Sequence, residues 1–205
     1  MGKFNSLNDK VVVIAGGAKN MGGLLSKSYA EHGAKLVIHH HDEHSLNEAQ
    51  ETLAKVEALG GQGTLFSGDL TQVKNVESLF QHAQNTFGKI DIAINTVGKV
   101  LKKPMADTTE EEFDNMADIN AKSAYFFIKY AEKAMNDNGK IITLTTALLA
   151  AYTGFYATYA GGKSPVEHYT RAASKEYMAR GISVNAVAPG PMDTPFFYPQ
   201  ESEEA

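Results

Sequence analysis

The stretch Val11-Val12-Val13-Ile14-Ala15-Gly16-Gly17-Ala18-Lys19-Asn20-Met21-Gly22-Gly23 decides how this chain is read. An unbroken β-branched apolar run is the pattern of a strand buried on both faces, and the following LLSKSYAEHG has the composition of a helix. The glycine-rich segment between them must then turn the chain tightly. Such a turn brings backbone N–H groups and the positive end of a helix onto a pyrophosphate, because the missing side chains let the phosphate approach. Glycine also serves tight turns that bind nothing, so composition alone does not point to a ligand. The position does: a turn from first strand to first helix is where a dinucleotide phosphate is held.

Working outward, β-branched runs recur as KLVIHH from Lys35, GTLFSG from Gly63, IDIAIN from Ile90, KIITLTT from Lys140 and ISVNAVAP from Ile182. With the first run they make six strand candidates. Between them lie amphipathic segments, such as the one in which Val73, Val76, Leu79, Ala83 and Phe87 recur at helical spacing. Ser45 with Glu48 and Thr109 with Glu112 each fit a capping box at a helix start. Strand and helix in alternation imply right-handed crossovers. The expected fold is α/β, a doubly wound, mainly parallel sheet of six strands with helices on both faces. No linker divides the chain, so residues 1–205 read as a single domain.

The 205 residues are 43% hydrophobic and 21% charged, the composition of a folded globular chain and not of a disordered, collagenous or coiled-coil one. Cysteine is absent, which excludes disulfides, a thiolate nucleophile and Cys-ligated metal. Nineteen Lys and Arg against 24 Asp and Glu leave a net charge of −5 without a dense basic cluster, so nucleic acid is not an expected partner. Residues 141–162 carry no formal charge, yet they contain five Thr, three Tyr and three Gly. They read as a buried strand and a helix start, not a membrane span. Met1-Gly2-Lys3-Phe4-Asn5-Ser6 fits a loose myristoylation pattern that arises often by chance. No apolar signal core precedes Lys10, so a cytoplasmic protein without a membrane partner is expected. Tyr198 to Ala205, with three Glu, reads as a solvated tail.

The glycine turn resembles that of the short-chain dehydrogenase/reductase family, TGxxxGxG, with Ala15 at the Thr, Gly16 and Gly22 matching, and Asn20 at the middle Gly. Asn tolerates left-handed backbone best after Gly, so the turn is expected to keep its path. Ala15 removes a hydroxyl that the family uses to brace the turn. The resemblance runs from Asn8 to about Phe197, with further motifs in the family's order. Gly68-Asp69-Leu70 is similar to the acidic motif that holds the adenine ring, and Asn95-Thr96-Val97-Gly98 to NNAG with its second Asn and its Ala replaced. Asn120 in DINAKSAYFF matches a helix-four Asn, and Pro189-Gly190 with Thr194 matches the segment that meets the nicotinamide.

Tyr159-Ala160-Gly161-Gly162-Lys163 is the most specific motif. On a helix, residues four apart share a face, so the Lys163 ammonium can sit near the Tyr159 phenol. A phenol with a pKa near about 10 works poorly at neutral pH, and a nearby cation lowers that value. Thr146, at the end of the fifth strand candidate, stands where the family has a Ser, and its hydroxyl could orient a carbonyl. Thr145 is the alternative, because strand neighbours point to opposite faces. An isolated YxxxK would be an ordinary buried Tyr and a snorkelling Lys. Set after a hydroxyl-bearing strand, in a chain with the glycine turn and Pro189-Gly190, it reads as catalytic. Pro165 is harmless within a first helical turn and kinks the helix further in.

The resemblance implies a Rossmann-like reductase, similar to 3-oxoacyl-(acyl carrier protein) reductase-like carbonyl reductases, with Tyr159, Lys163, Thr146 and Asn120 in catalysis. It places the cofactor against Gly16, Ala18, Lys19, Asn20, Met21, Gly22, His40, Asp69, Leu70, Asn95, Gly98, Tyr159, Lys163, Pro189, Gly190 and Thr194. In NAD-preferring relatives an acid follows the second strand; here His40 or a neighbour in His39-His40-His41 takes that place. Lys19 matches a basic position common in NADP-using relatives, so NADP(H) is favoured over NAD(H). Asp42 and Glu43 would instead reach the ribose if the strand ran further. The run HHHDEH from His39 also offers metal ligands, but strand neighbours point opposite ways, so no metal is expected.

The function expected is NADPH-dependent reduction of a small carbonyl, 3-oxoacyl or other ketone, or oxidation of the corresponding secondary alcohol. The alternative is a catalytically silent NADP-binding sensor or scaffold, motivated by Ala15, Asn20 and Thr96. Resemblance also implies a homodimer or homotetramer built through the helices after strands four and five. Relatives continue into a lid and a seventh strand, so the sequence is expected to be incomplete after about residue 197.

Overall fold

The computed structural model describes residues 7–196 and residue 198. The acylation-like pattern at Met1–Ser6 and most of the acidic tail lie outside the described residues. Six strands form one parallel sheet: β1 (Val11–Ala15), β2 (Lys35–His40), β3 (Gln62–Ser67), β4 (Ile90–Asn95), β5 (Met135–Leu144) and β6 (Ser183–Val187), in the order β3-β2-β1-β4-β5-β6. Register runs from Val11 against Lys35 on one side of β1 to Val12 against Ile92 on the other. The chain order reverses between β1 and β4. At such a switch point the connections leave the sheet toward opposite faces, and a crevice opens at the strands' C-terminal ends.

Helices α1 (Asn20–Glu31) and α2 (Leu46–Ala58) cover one face; α3 (Val73–Phe87), α5 (Ser123–Ala134) and α6 (Ala157–Glu176) cover the other. Alternation along β1 explains how one run serves both cores. Val12 and Ile14 pack with Leu36, Ile38, Val56, Ile92 and Ile94 under α1 and α2. Val11, Val13 and Ala15 pack with Leu79, Phe80 and Phe127 under α3 and α5. All five β1 residues are buried, and each Val or Ile contributes about 1.5–3 kcal/mol by leaving water. On α3, Val76, Leu79 and Ala83 of the expected stripe are buried together with Phe80, while Val73 and Phe87 at its two ends are half-buried.

Thr109 and Glu112 form the expected reciprocal cap at the start of α4 (Glu110–Ala117). The box expected between Ser45 and Glu48 does not form. Asp42 pairs with Ser45 instead, because the chain makes a short 3₁₀ turn at Glu43–Ser45 before α2 begins. Between α4 and α5 a π-helical turn at Asp118–Lys122 carries the buried Asn120. Pro165 falls inside α6, so the Gly161 carbonyl has no N–H at the following turn to accept from. Tyr159 and Lys163 both precede that interruption. No described helix is long and apolar enough to cross a membrane.

Candidate active site

The glycine turn is held from several sides by side chains of other elements. Gly16 has φ +75° and Asn20 has φ +50°, so the Asn keeps the left-handed path expected for the middle glycine. A Cβ at Gly22 would lie 2.1 Å from the Gly16 carbonyl oxygen, which is why that position tolerates no side chain. The Thr96 hydroxyl donates to the Ala15 carbonyl at 2.8 Å. That bond comes from the end of β4, so the bracing hydroxyl missing at position 15 is supplied by a residue that is itself a departure from the family motif. Ser26 donates to Gly17 O at 2.9 Å and Thr52 to Ala18 O at 2.6 Å.

His39 supplies a further brace that sequence reasoning missed. Its Nδ1 accepts from the Gly16 N–H at 2.9 Å, so Nε2 carries the proton and donates to Gly68 O at 2.7 Å. The imidazole is 3% exposed, and burial pushes its pKa down to about 4. The neutral ring thus ties the ends of three segments together. Its alternation with His40 along β2 was the available signal.

Lys19, the residue before α1, makes no side-chain cap, and the first turn of α1 carries no acid. The N–H groups of that turn remain for an anion. Lys19 is itself held by Glu48 at 3.0 Å. Strand β2 stops at His40, and the Asp42 carboxylate caps Ser45 at 3.2 Å. His40 Nδ1 lies 3.0 Å from Asp42 O. Asp69 accepts from Thr71 N at 2.9 Å and from its hydroxyl at 2.7 Å, so this acid shapes the turn after β3 while bordering the cleft. No group of three or more His, Asp or Glu comes together for a metal ion among the described residues.

At the other end of the cleft, Thr146 lies just beyond β5 as the cap of a 3₁₀ turn at Ala147–Leu149. The Tyr159 phenol is raised in pKa, burial being the larger influence and the nearby Thr146 hydroxyl acting to lower it. Thr145 also borders the cleft but donates its hydroxyl to Val187 O at 3.2 Å, back into the sheet. The two threonines are thereby told apart, and Thr146 is the one beside the phenol.

Lys163 is held by main-chain carbonyls. Its ammonium, 4% exposed, donates to Val97 O at 3.1 Å and Leu144 O at 3.2 Å, and burial lowers it to about 8. The lysine therefore does not hold the phenol below its ordinary value in this structure; burial wins there. Gly98 fits between Lys163 and Asn120, where a Cβ would come within 2.8 Å of Nζ and 2.9 Å of Oδ1.

These residues border one cleft of about 1130 Å³. It runs from Lys19, His40 and Asp69 past Gly16, Ala18, Asn20, Met21, Gly22 and Leu70 to Gly98, Thr146, Tyr159, Lys163, Pro189, Gly190 and Thr194. Two of the expected site residues stand off its wall. Asn95 is buried and accepts from Val97 N at 2.9 Å, shaping the backbone after β4. Asn120 accepts from Lys99 N at 3.2 Å and donates to Lys99 O at 3.0 Å and Met116 O at 3.1 Å, clamping the loop behind Gly98. Residues not anticipated on the wall include Thr96, Lys99, Lys102 and Tyr156.

With that geometry in view, likeness to known proteins is informative. The enoyl-(acyl carrier protein) reductase family model matches residues 16–204. The hydroxynaphthalene reductase of Aspergillus fumigatus is 32% identical over 183 residues, covering 89% of this chain and 66% of that protein. A short-chain type dehydrogenase/reductase of Picea abies is 30% identical over 97% of this chain and 76% of its own length. The chain thus spans about two thirds to three quarters of these relatives. A Burkholderia cenocepacia protein crystallised with bound NADP is 59% identical, with a TM-score of 0.95 over 98% of this chain and 76% of that one. A short-chain dehydrogenase from Oenococcus oeni is 56% identical, with a TM-score of 0.80 over 98% of this chain and 83% of that one.

Proposed function

The chain belongs to the short-chain dehydrogenase/reductase family, and from that premise we propose that it is an NADPH-dependent reductase of small carbonyl compounds. The observation that carries this reading is the placement of Tyr159 and Thr146 together at one end of a cleft whose other end is the braced glycine turn. The residues fit a dinucleotide. The glycine positions are closed to any Cβ, the first turn of α1 leaves its N–H groups to an anion, and the cleft reaches from there to the phenol. When bound, the reduced nicotinamide supplies the hydride.

In this reading the carbonyl carbon takes the hydride, and its oxygen takes the Tyr159 proton while accepting a hydrogen bond from Thr146. Reduction leaves a phenolate, and the Lys163 ammonium is the cation available to stabilise it and to return a proton. Asn120 holds the loop behind Lys163 through both backbone groups of Lys99. NADP(H) over NAD(H) is supported by His40 at the end of β2, by the engagement of Asp42 with Ser45, and by the NADP bound to the B. cenocepacia neighbour. A homodimer or homotetramer is proposed through the helices after β4 and β5, namely α4, α5 and α6, where Phe113 and Tyr125 are exposed on α4 and α5. The substitutions that motivated a silent binding protein are accommodated: Asn20 keeps its φ and Thr96 braces Ala15.

The test is Tyr159→Phe. It should bind NADPH, read by cofactor fluorescence, and lose turnover by about 10²- to 10⁴-fold on a carbonyl panel. Equal rates for the two proteins would remove Tyr159 from the reaction.

A further inference from the structure

We propose that Glu48 is a specificity-determining residue: by holding the Lys19 ammonium it limits how strongly the cleft selects a cofactor bearing a 2′-phosphate, and so keeps the selectivity for NADPH over NADH low. This rests on the NADPH reading above. The argument begins with the charges at the end of the cleft near His40. Lys19 is the one Lys or Arg bordering that end among the described residues, and Asp42 and Asp69 border it as well. A phosphate dianion arriving there needs a cation whose charge is not already balanced.

Both basic groups on this wall already face acids. Lys19 Nζ lies 3.0 Å from Glu48 Oε1. The His41 ring stands between two carboxylates, its Nε2 4.0 Å from Asp42 and its Nδ1 3.9 Å from Asp69. The three acids differ in what else they do. Asp42 caps the turn into α2 through Ser45 N at 3.2 Å, and Asp69 accepts from Thr71 N at 2.9 Å, so both carboxylates shape backbone. Glu48 stands behind Lys19, off the cleft wall. Its Oε1 takes the ammonium, while its Oε2 is buried and meets no hydrogen-bond donor. A carboxylate left short of water in this way holds its counter-charge more firmly.

The placement of Glu48 follows from the docking of α2. Glu48 and Thr52 are four residues apart and share one helical face, and Thr52 donates to Ala18 O at 2.6 Å. That bond fastens the helix to the glycine turn and delivers the carboxylate to the next residue, Lys19. The Lys19 and Glu48 side chains are 54% and 42% exposed, so the pair is open to water and a phosphate can draw the ammonium away at small cost. Glu48 therefore reduces the selectivity without abolishing it. NADH has no 2′-phosphate, makes no demand on Lys19 and is indifferent to the pair.

The experiment measures Kd for NADPH and NADH by cofactor fluorescence at low salt, on the wild type, Glu48→Gln, Lys19→Gln and the double variant. Glu167→Gln, which removes an exposed acid of α6, controls for the change in net charge. Glu48→Gln keeps the shape of the side chain and should tighten NADPH about fivefold while leaving NADH within about twofold. Lys19→Gln should weaken NADPH about tenfold, and adding Glu48→Gln to it should recover less than about twofold, because the carboxylate acts through the ammonium. An unchanged ratio, equal tightening of both cofactors or weaker NADPH binding in Glu48→Gln overturns the proposal. The same gain in Glu167→Gln, or in the Lys19→Gln background, overturns it too. A wild type that binds NADH more tightly, with the ratio still moving toward NADPH in Glu48→Gln, corrects the cofactor reading and supports the proposal. Oxidation of both cofactors on a carbonyl panel is followed separately: a ratio that shifts as expected while no carbonyl is reduced sinks the reductase reading and leaves the role of Glu48 standing.

Discussion

The imidazole of His39 and the backbone of Gly16 are joined by one hydrogen bond of 2.9 Å, which makes a strand-end side chain of β2 the anchor of the glycine turn. The opposite ring nitrogen donates to Gly68 O at 2.7 Å. The turn is thus held by a neutral ring, and protonation would set a second N–H against the Gly16 N–H.

His39→Phe should cost about 2–4 kcal/mol, because it leaves a buried backbone donor and a buried acceptor unpaired. The same side chain should make stability depend on pH. Its pKa falls from 6.5 to about 4 on folding, so between those values the unfolded chain holds a proton that the folded one does not. Its contribution is complete above about pH 6.5 and lost as pH falls toward 4, amounting to about 3 kcal/mol. Urea unfolding of the wild type and of His39→Phe across pH 4–7 should show the two stabilities converging at the acid end. Parallel curves would show that the ring is not the titrating group.

Thr146 and Thr145 should separate cleanly. Thr146→Val removes the hydroxyl beside Tyr159 and should lower kcat/KM by about 10²-fold. Thr145→Val loses a bond to Val187 O, a matter of about 1 kcal/mol of stability, with turnover within about threefold of wild type. Steady-state kinetics beside thermal unfolding would read both, and the reverse ranking would exchange their roles.

In the glycine turn, Gly22→Ala would drive a Cβ against the Gly16 carbonyl and should abolish NADPH fluorescence enhancement. Asn20→Gly should leave cofactor affinity within about threefold, since glycine adopts φ +50° without strain. Asn20→Val, β-branched at a left-handed position, should lose about 1–2 kcal/mol. Retained binding in Gly22→Ala would mean that the turn opens more readily than its packing implies.

Lys163 should titrate near 8 rather than near 10.5 in the cofactor-free protein, because burial disfavours its charged form. Heteronuclear NMR of the labelled lysine ε position would give the midpoint directly. With the folded value below the unfolded one, stability relative to Lys163→Met should rise as pH climbs from about 8 to 10.5, where only the unfolded chain still holds the proton. A midpoint at the ordinary lysine value would contradict the buried position on Val97 O and Leu144 O.

The six strands, their parallel crossovers and the path of the glycine turn could be read from the chain because each rests on local pattern. Runs such as Val11–Ala15 and Ile90–Asn95 are apolar at every position or nearly so, which only a strand covered on both faces requires. The left-handed Asn20 follows from its own backbone tolerance. Tyr159 and Lys163 were legible through their spacing, which one helix converts into a shared face.

What the pattern did not disclose depends on partners remote in sequence. Thr96 braces Ala15 across 81 positions, His39 reaches Gly16 and Gly68, and Lys163 donates to carbonyls on the ends of two different strands. Asn95, expected at the cofactor, and Asn120, expected in catalysis, both bond backbone. Alternation and helical spacing specify which face a side chain takes, since those periods belong to the local backbone. Which acceptor it meets there is set by how strands β1, β2, β4 and β5 lie beside one another. That is why the order of the elements was written in the residues, while the protonation of His39 and the placement of the Lys163 charge were decided only when the sheet closed around them.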